Sequence, residues 1–87
     1  MNKLDTLDKI HPDLISAFLT TGKCDGIAPD VQIFLKQLQW AAEIYEYERN
    51  ITRAAKQLRQ RINAQQQINI DERTCKARIY AAINYFS

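Results

Sequence analysis

Hydrophobic residues recur every three or four positions along most of the 87-residue chain. This spacing is typical of amphipathic helices, whereas no segment shows the strict alternation of a half-buried strand, and β-branched residues do not cluster. The pattern predicts an all-α fold, a small bundle of four to five helices that forms a single domain over residues 1–87. The first candidate helix, over residues 2–10, is short and ends before His11-Pro12.

Proline, glycine and polar N-cap residues predict the boundaries of the other helices. Pro12 suits a first helical turn, and Gly22 stands where a helix often ends with a left-handed residue. After a loop over residues 23–28, the longest helix is predicted over residues 29 to about 47. Asn50 and Asp71 are suitable N-caps for a third helix, over residues 51 to about 63, and for a final helix. The polar run at residues 65–67 either frays the third helix into a connection of some six residues or extends it.

The hydrophobic stripes of these helices predict the core. We expect seven residues to be largely buried: Phe34, Leu38, Leu58, Ile62, Ile79, Ile83 and Phe86. The long helix carries a second hydrophobic stripe, formed by Ile33, Trp40, Ile44 and Tyr47. Either this helix is central to the fold and contacted on two sides, or the second stripe is a subunit interface anchored by Trp40. These four residues are therefore the candidate oligomerisation residues of a homo-oligomer.

Composition excludes several classes of protein. Hydrophobic residues make up 46% of the chain and charged residues 25%, which argues against a disordered chain. The longest uninterrupted run of these hydrophobic residues has five members, over residues 79–83, so no membrane association is expected. The N-terminus lacks the apolar core of a signal peptide, which favours a cytoplasmic protein. Two cysteines far apart in sequence form neither a disulfide framework nor a zinc site.

The chain also lacks the residue sets that catalysis requires. Its single histidine, His11, has no cysteine or carboxylate at metal-ligand spacing, and neither glycine belongs to a phosphate-binding loop. No convincing Ser/His/Asp or Cys/His set is present. We therefore expect no enzyme activity, no cofactor and no metal site.

Charge is distributed unevenly between the two parts of the chain. Residues 1–48 carry four lysines and eight acidic residues, a net charge of −4, whereas residues 49–87 carry eight basic and two acidic residues, a net charge of +6. Such asymmetry suggests a polyanionic partner for the second part, although a solubilising face is the ordinary alternative.

The last two helices form a C-terminal helix-turn-helix-like pair that could use this charge on double-stranded DNA. The final helix would lie in the major groove, where its small residues let the backbone approach, while the third helix would cross the phosphate backbone. The candidate DNA-binding residues are Arg49 just before the third helix, Arg53 and Lys56 on it, and Arg73, Thr74, Arg78 and Asn84 on the final helix.

Three segments carry a resemblance to a known family: LxxLxxAxxIYExERN over residues 35–50, ITRAAKQLRQRI over residues 51–62, and RTCKARIYAAINYF over residues 73–86. Together they resemble the N-terminal helix-turn-helix domain of small terminase subunits of tailed bacteriophages. The family's second helix has a pattern that corresponds here to Thr74, Ala77, Arg78, Ala82, Ile83 and Phe86. The resemblance implies recognition of the viral packaging site inside a bacterial host, oligomerisation, and a large terminase subunit as partner.

The sequence departs from this family in two respects. The connection between the last two helices is longer than the usual tight turn. Small terminase subunits also carry an oligomerisation region after the helix-turn-helix, whereas this sequence stops at Ser87, so it is either an excised domain or a shorter protein with the same DNA-binding device. Two other hypotheses remain: a small phage or plasmid transcriptional regulator, and a protein–protein adaptor or inhibitor whose basic part meets an acidic partner.

Overall fold

A computed structural model describes residues 7–86 and contains four α-helices. Helix α1 spans Pro12–Thr21, α2 Pro29–Glu48, α3 Ile51–Gln66 and α4 Glu72–Phe86. No residue in this described range belongs to a β-strand, so the predicted all-α fold is confirmed. Of the predicted first helix, residues 2–6 lie outside the described residues, while Leu7 is helical and residues 8–10 turn.

The chain divides into two units within α2, over residues 1–36 and 37–87. The first unit contains α1, whose end is set by Gly22 in the left-handed conformation at φ 80°. The Gly22 N–H donates to the Phe18 carbonyl at 3.0 Å. A turn closed by a hydrogen bond from the Ile27 N–H to the Cys24 carbonyl leads toward α2, as the sequence predicts. The thiol of Cys24 is exposed and donates to the Gly22 carbonyl oxygen at 3.2 Å.

In the second unit, α3 packs against α4 around a hydrophobic core. Leu38, Leu58, Ile62 and Ile79 are each 0% exposed, and Phe34 of the first unit is 4% exposed, which confirms these five core predictions. Cys75 is also fully buried, and desolvation raises the pKa of its thiol.

Two further core predictions, Ile83 and Phe86, are wrong. Ile83 is 37% exposed and Phe86 is 43% exposed. Both lie on the same side of α4 as buried Cys75 and Ile79, so the predicted stripe has the right direction. The stripe continues past the stretch of α4 that the rest of the unit covers, and its last turn therefore faces solvent.

Helix ends follow the local chemistry of their caps. The Asn50 side chain accepts a hydrogen bond from the Arg53 N–H at 2.9 Å, which confirms the predicted N-cap of α3. Helix α3 continues through the polar run to Gln66, three residues beyond the expected end, and stops where Gln67 adopts a left-handed φ of 57°. The polar run thus extends the helix, and five residues, 67–71, connect it to α4. No helix among residues 7–86 is both long and apolar enough to cross a lipid bilayer.

Candidate nucleic-acid interface

The candidate interface is built on the solvent-facing side of α3. Its opposite side is anchored in the core by Ala54, Ala55, Leu58 and Ile62. Because 3.6 residues make one turn, Arg53, Lys56 and Gln60 point away from that core, and all three are exposed. The burial of the apolar stripe therefore fixes which basic side chains α3 presents to solvent.

The connection to α4 is held at both ends by hydrogen bonds. At its start, the Gln67 N–H donates to the Asn63 carbonyl at 3.0 Å. At its end, the Asp71 carboxylate accepts from the Thr74 N–H at 2.7 Å, as the predicted N-cap requires. A hydrogen bond with the Thr74 side chain, together with this backbone bond, lowers the pKa of Asp71. Thr74, a predicted DNA contact, is thus already engaged in capping α4.

An open cleft of about 550 Å³ lies between α3 and the start of α4. It is lined by Lys56, Arg59, Gln60, Asn63, Asn69 and Glu72. Four of these residues belong to one face of α3, since positions 56, 59, 60 and 63 follow the three- and four-residue spacing of a helix. The cleft therefore combines two cations and three amide side chains with one carboxylate.

The basic residues of α3 differ in their ion pairing. Arg53 lies 3.8 Å from the Glu48 carboxylate, which also accepts a hydrogen bond from Gln57. Arg61 lies 3.5 Å from the carboxylate of Glu43. Within residues 7–86, by contrast, no carboxylate lies within 4.0 Å of Lys56 or Arg59, the two basic residues of the cleft, or of Arg73. The positive charges of Lys56, Arg59 and Arg73 are therefore not neutralised by a salt bridge in the described part of the chain.

Glu72 adds a negative group at the edge of this cleft. One carboxylate oxygen, Oε1, is buried and has no hydrogen-bond partner among the described residues. The residue occupies the first position of α4, where the positive end of the helix dipole favours a carboxylate. The cleft thus contains an acceptor that a hydrogen-bond donor could satisfy.

The exposed face of α4 agrees with the sequence pattern. Arg73, Ala77, Tyr80 and Asn84 are all exposed, and Tyr80 is 56% exposed. Because these positions are three or four residues apart, they form one line along the helix. The rise of about 1.5 Å per residue puts Asn84 roughly 16 Å beyond Arg73 along the helix axis.

Arg78 is engaged inside the second unit. Its Nε donates to Oε1 of Gln37 at 3.0 Å, and Gln37 in turn donates from Nε2 to Oε1 of Gln66 at 3.0 Å. Gln37 is only 4% exposed, and burial lowers the pKa of the Arg78 guanidinium. Arg78 therefore helps to join α2, α3 and α4 through polar side chains, a contact that the outward-facing position predicted for it did not anticipate.

Arg49 lies away from the cleft as well. It ends α2 in a left-handed conformation, φ 58°, with its N–H bonded to the Tyr45 carbonyl and its Nε bonded to the Glu46 carbonyl at 3.0 Å. Of the predicted DNA-binding residues, only Lys56 lines the cleft. The sequence interpretation missed Arg59, Asn63 and Asn69. The spacing of Arg59 and Asn63 from Lys56 already put these two residues on the same helix face as Lys56.

The candidate oligomerisation residues do not share one environment. Tyr47 is 92% exposed and Ile33 is 41% exposed, whereas Ile44 is only 5% exposed and belongs to the core. Trp40 has intermediate exposure. The burial of Ile44 favours, at this position, the alternative in which the second stripe packs inside the fold, since the buried side of α2 includes Gln37, Ala41 and Ile44 as well as Leu38.

Within residues 7–86, no group of three or more His, Cys, Asp or Glu side chains is arranged to hold a metal ion. Comparison of the chain with protein-family models, with curated proteins and with solved structures finds no match.

Proposed function

We propose that this protein binds double-stranded DNA through α3, the connection at residues 67–71 and the exposed face of α4. The observation that carries the proposal is the cleft in which Lys56 and Arg59 lie beside Gln60, Asn63 and Asn69. Glu72 also lines this cleft, but among residues 7–86 no carboxylate lies within 4.0 Å of either cation. Lysine and arginine neutralise phosphates, and asparagine and glutamine donate hydrogen bonds to phosphate oxygens and to base edges. This composition suits a nucleic acid better than an uncharged ligand.

The exposed line on α4 supports the same function. Ala77 offers a small side chain between Arg73 and Tyr80, which would let the helix backbone approach a major groove closely. Arg73 lies in the first turn of α4, where recognition helices usually contact base edges. In this arrangement Lys56 and Arg59 hold the phosphate backbone and Arg73 reads sequence.

The more specific role, recognition of a phage packaging site before transfer to a large terminase subunit, depends on the sequence resemblance. A small transcriptional regulator would use the same helix pair but would bind two half-sites about one helical turn apart. An adaptor would instead direct its basic face to an acidic protein. These alternatives differ in their ligand, so a DNA titration separates the adaptor from the other two.

The test compares two single-charge variants of α3, Lys56→Ala and Arg61→Ala. Fluorescence anisotropy with a random duplex at several salt concentrations gives the slope of log affinity against log salt. Lys56→Ala should flatten this slope by roughly one unit, because each phosphate contact releases about one counterion. Arg61→Ala removes the same charge from the same helix but from a residue paired with Glu43 outside the cleft, and it should leave the slope unchanged.

Two outcomes would overturn the proposal. A wild-type protein without salt-dependent affinity for duplex DNA would leave the adaptor as the better explanation. Equal losses in both variants would show a general attraction and no role for the cleft.

Once a preferred site has been selected from a randomised duplex library, Arg73→Ala should cost about 1–3 kcal/mol on that site and leave random DNA nearly unaffected.

A further inference from the structure

A second groove, of about 450 Å³, lies between the last turns of α2 and the last turns of α4 in the second unit. Its lining is mainly hydrophobic and consists of Ala42, Tyr45, Glu46, Arg49, Ala82, Ile83 and Phe86. Phe86 also contacts Tyr85 edge-to-face, with ring centroids 5.1 Å apart. This groove shares no residue with the cleft between α3 and α4.

The groove exists because two hydrophobic stripes continue past the covered core. On α4, Ile83 and Phe86 follow buried Ile79 on the same side. On α2, Tyr45 follows fully buried Leu38 by seven residues, two helical turns, and has intermediate exposure. Side chains that have the direction of core residues are thus left in contact with solvent on both walls, which is unfavourable for a chain that remains alone.

The charges at the groove indicate what covers it. Glu46 and Arg49 have opposite charges and both line the groove. A bond from Nε of Arg49 to the Glu46 carbonyl holds the arginine at the end of α2. No basic group lies within 4.0 Å of the Glu46 carboxylate among residues 7–86. In a two-fold interface each residue i meets residue j of the other copy, so a surface with one acid and one base is complementary to itself when the axis passes between them.

We propose that this groove is a homodimer interface. Ile83 and Phe86 of each copy enter the groove of the other, and Glu46 of each copy pairs with Arg49 of the other. This arrangement differs from the predicted interface along Ile33, Trp40, Ile44 and Tyr47, and it assigns Arg49 to self-association. It does not depend on DNA binding, although a two-fold dimer would present two copies of the α3–α4 cleft.

The experiment is sedimentation velocity on the full chain without DNA, from low to high micromolar concentration. The wild type should dimerise. E46R and R49E should each weaken the dimer by about tenfold or more, because each creates two like-charge pairs across the two-fold axis. The charge swap E46R/R49E should restore association, and mixing the two single variants should give a heterodimer in which both pairs are again opposite.

Phe86→Ala tests the apolar part of the interface and should also weaken the dimer about tenfold. Circular dichroism confirms that each variant is folded, and the exposed charge variants keep the test decisive if Phe86→Ala unfolds. Tyr47→Ala is the matched control on α2, because Tyr47 is 92% exposed and does not line the groove. A monomeric wild type at high micromolar concentration, no rescue by the charge swap, or loss of the dimer in Tyr47→Ala alone would overturn the proposal.

Discussion

The two ends of α4 have opposite chemistry although they belong to one 15-residue helix. Its first turn contributes the Glu72 carboxylate to a cleft that otherwise consists of cations and amides, next to the connection from α3. Its last turn borders a groove of mainly hydrophobic side chains beside α2. Between them, Cys75, Ile79 and Ala82 are completely buried. A single buried stretch therefore separates two surfaces of different chemistry, for which we propose different partners.

The two proposed interactions should respond differently to salt. Attraction at the cleft end is electrostatic and should weaken with added salt. Attraction at the groove end comes mainly from apolar surface and should depend on salt only through Glu46 and Arg49. A substitution in the buried middle of α4 should weaken both interactions, whereas a substitution at one end of α4 should leave the interaction at the other end unchanged.

The largest effect is expected from the shared middle of α4. Ile79→Ala leaves a cavity in a site that is 0% exposed and should lower the free energy of unfolding by about 2–5 kcal/mol. DNA affinity and dimerisation should decline together as the folded population falls. Urea denaturation measures the change, with exposed Tyr80→Ala as the control expected within about 0.5 kcal/mol of wild type. A loss well under 1 kcal/mol for Ile79→Ala would contradict the assigned core.

A smaller effect is expected from the polar contacts that hold Arg78 beside α2. Gln37→Ala removes the acceptor of the Arg78 Nε hydrogen bond and the donor to Gln66. The partly buried Arg78 then loses this hydrogen bond, at a cost of about 1–3 kcal/mol in unfolding free energy. Exposed Gln65→Ala is the matched control and should be nearly neutral. Equal stabilities of the two variants would show that water replaces Gln37 at no cost.

The smallest effect concerns the cleft end alone and depends on pH. Because the pKa of Asp71 is lower in the folded state, its ionised cap stabilises the folded protein. This contribution is fully present above the unfolded-state pKa, about 3.9, and is lost as the pH falls through the lower folded-state pKa. Asp71→Asn keeps a capping side chain that does not titrate. The difference in unfolding free energy between wild type and Asp71→Asn should be constant above about pH 5 and should shift in favour of the variant in acid. A difference that does not change with pH would contradict the role of the carboxylate.

The sequence predicts helix starts well because their causes are local. The side chains of Asn50 and Asp71 each accept a hydrogen bond from the backbone N–H three residues later. Because few residue types make this contact, the capping residue can be recognised in the sequence. The end of α3 was less predictable. Glutamine is a reasonable helix former, so the run of glutamines does not itself end the helix. The helix ends where Gln67 adopts the left-handed conformation, which is usually reserved for glycine and which the sequence therefore does not indicate.

Where the surroundings of a side chain differ from those expected, in the core and at the candidate site, the cause is not local. A hydrophobic stripe gives the direction of a side chain, but whether Ile83, Phe86 or Ile44 is covered depends on where the neighbouring helix lies. Likewise, a charge on the outer face of a helix does not reveal its partner. Arg78 and Arg53 were assigned with Lys56, yet contacts with Gln37 and Glu48 separate them from it.

The two cysteines provide a built-in chemical probe of local unfolding. Cys24 is exposed, whereas Cys75 is fully buried and its raised thiol pKa further lowers the fraction of reactive thiolate. An alkylating reagent should therefore label Cys24 at once and Cys75 only when the core around α4 opens. Because both thiols are in one chain, the ratio of the two labels reports the opening rate of the second unit without any introduced probe.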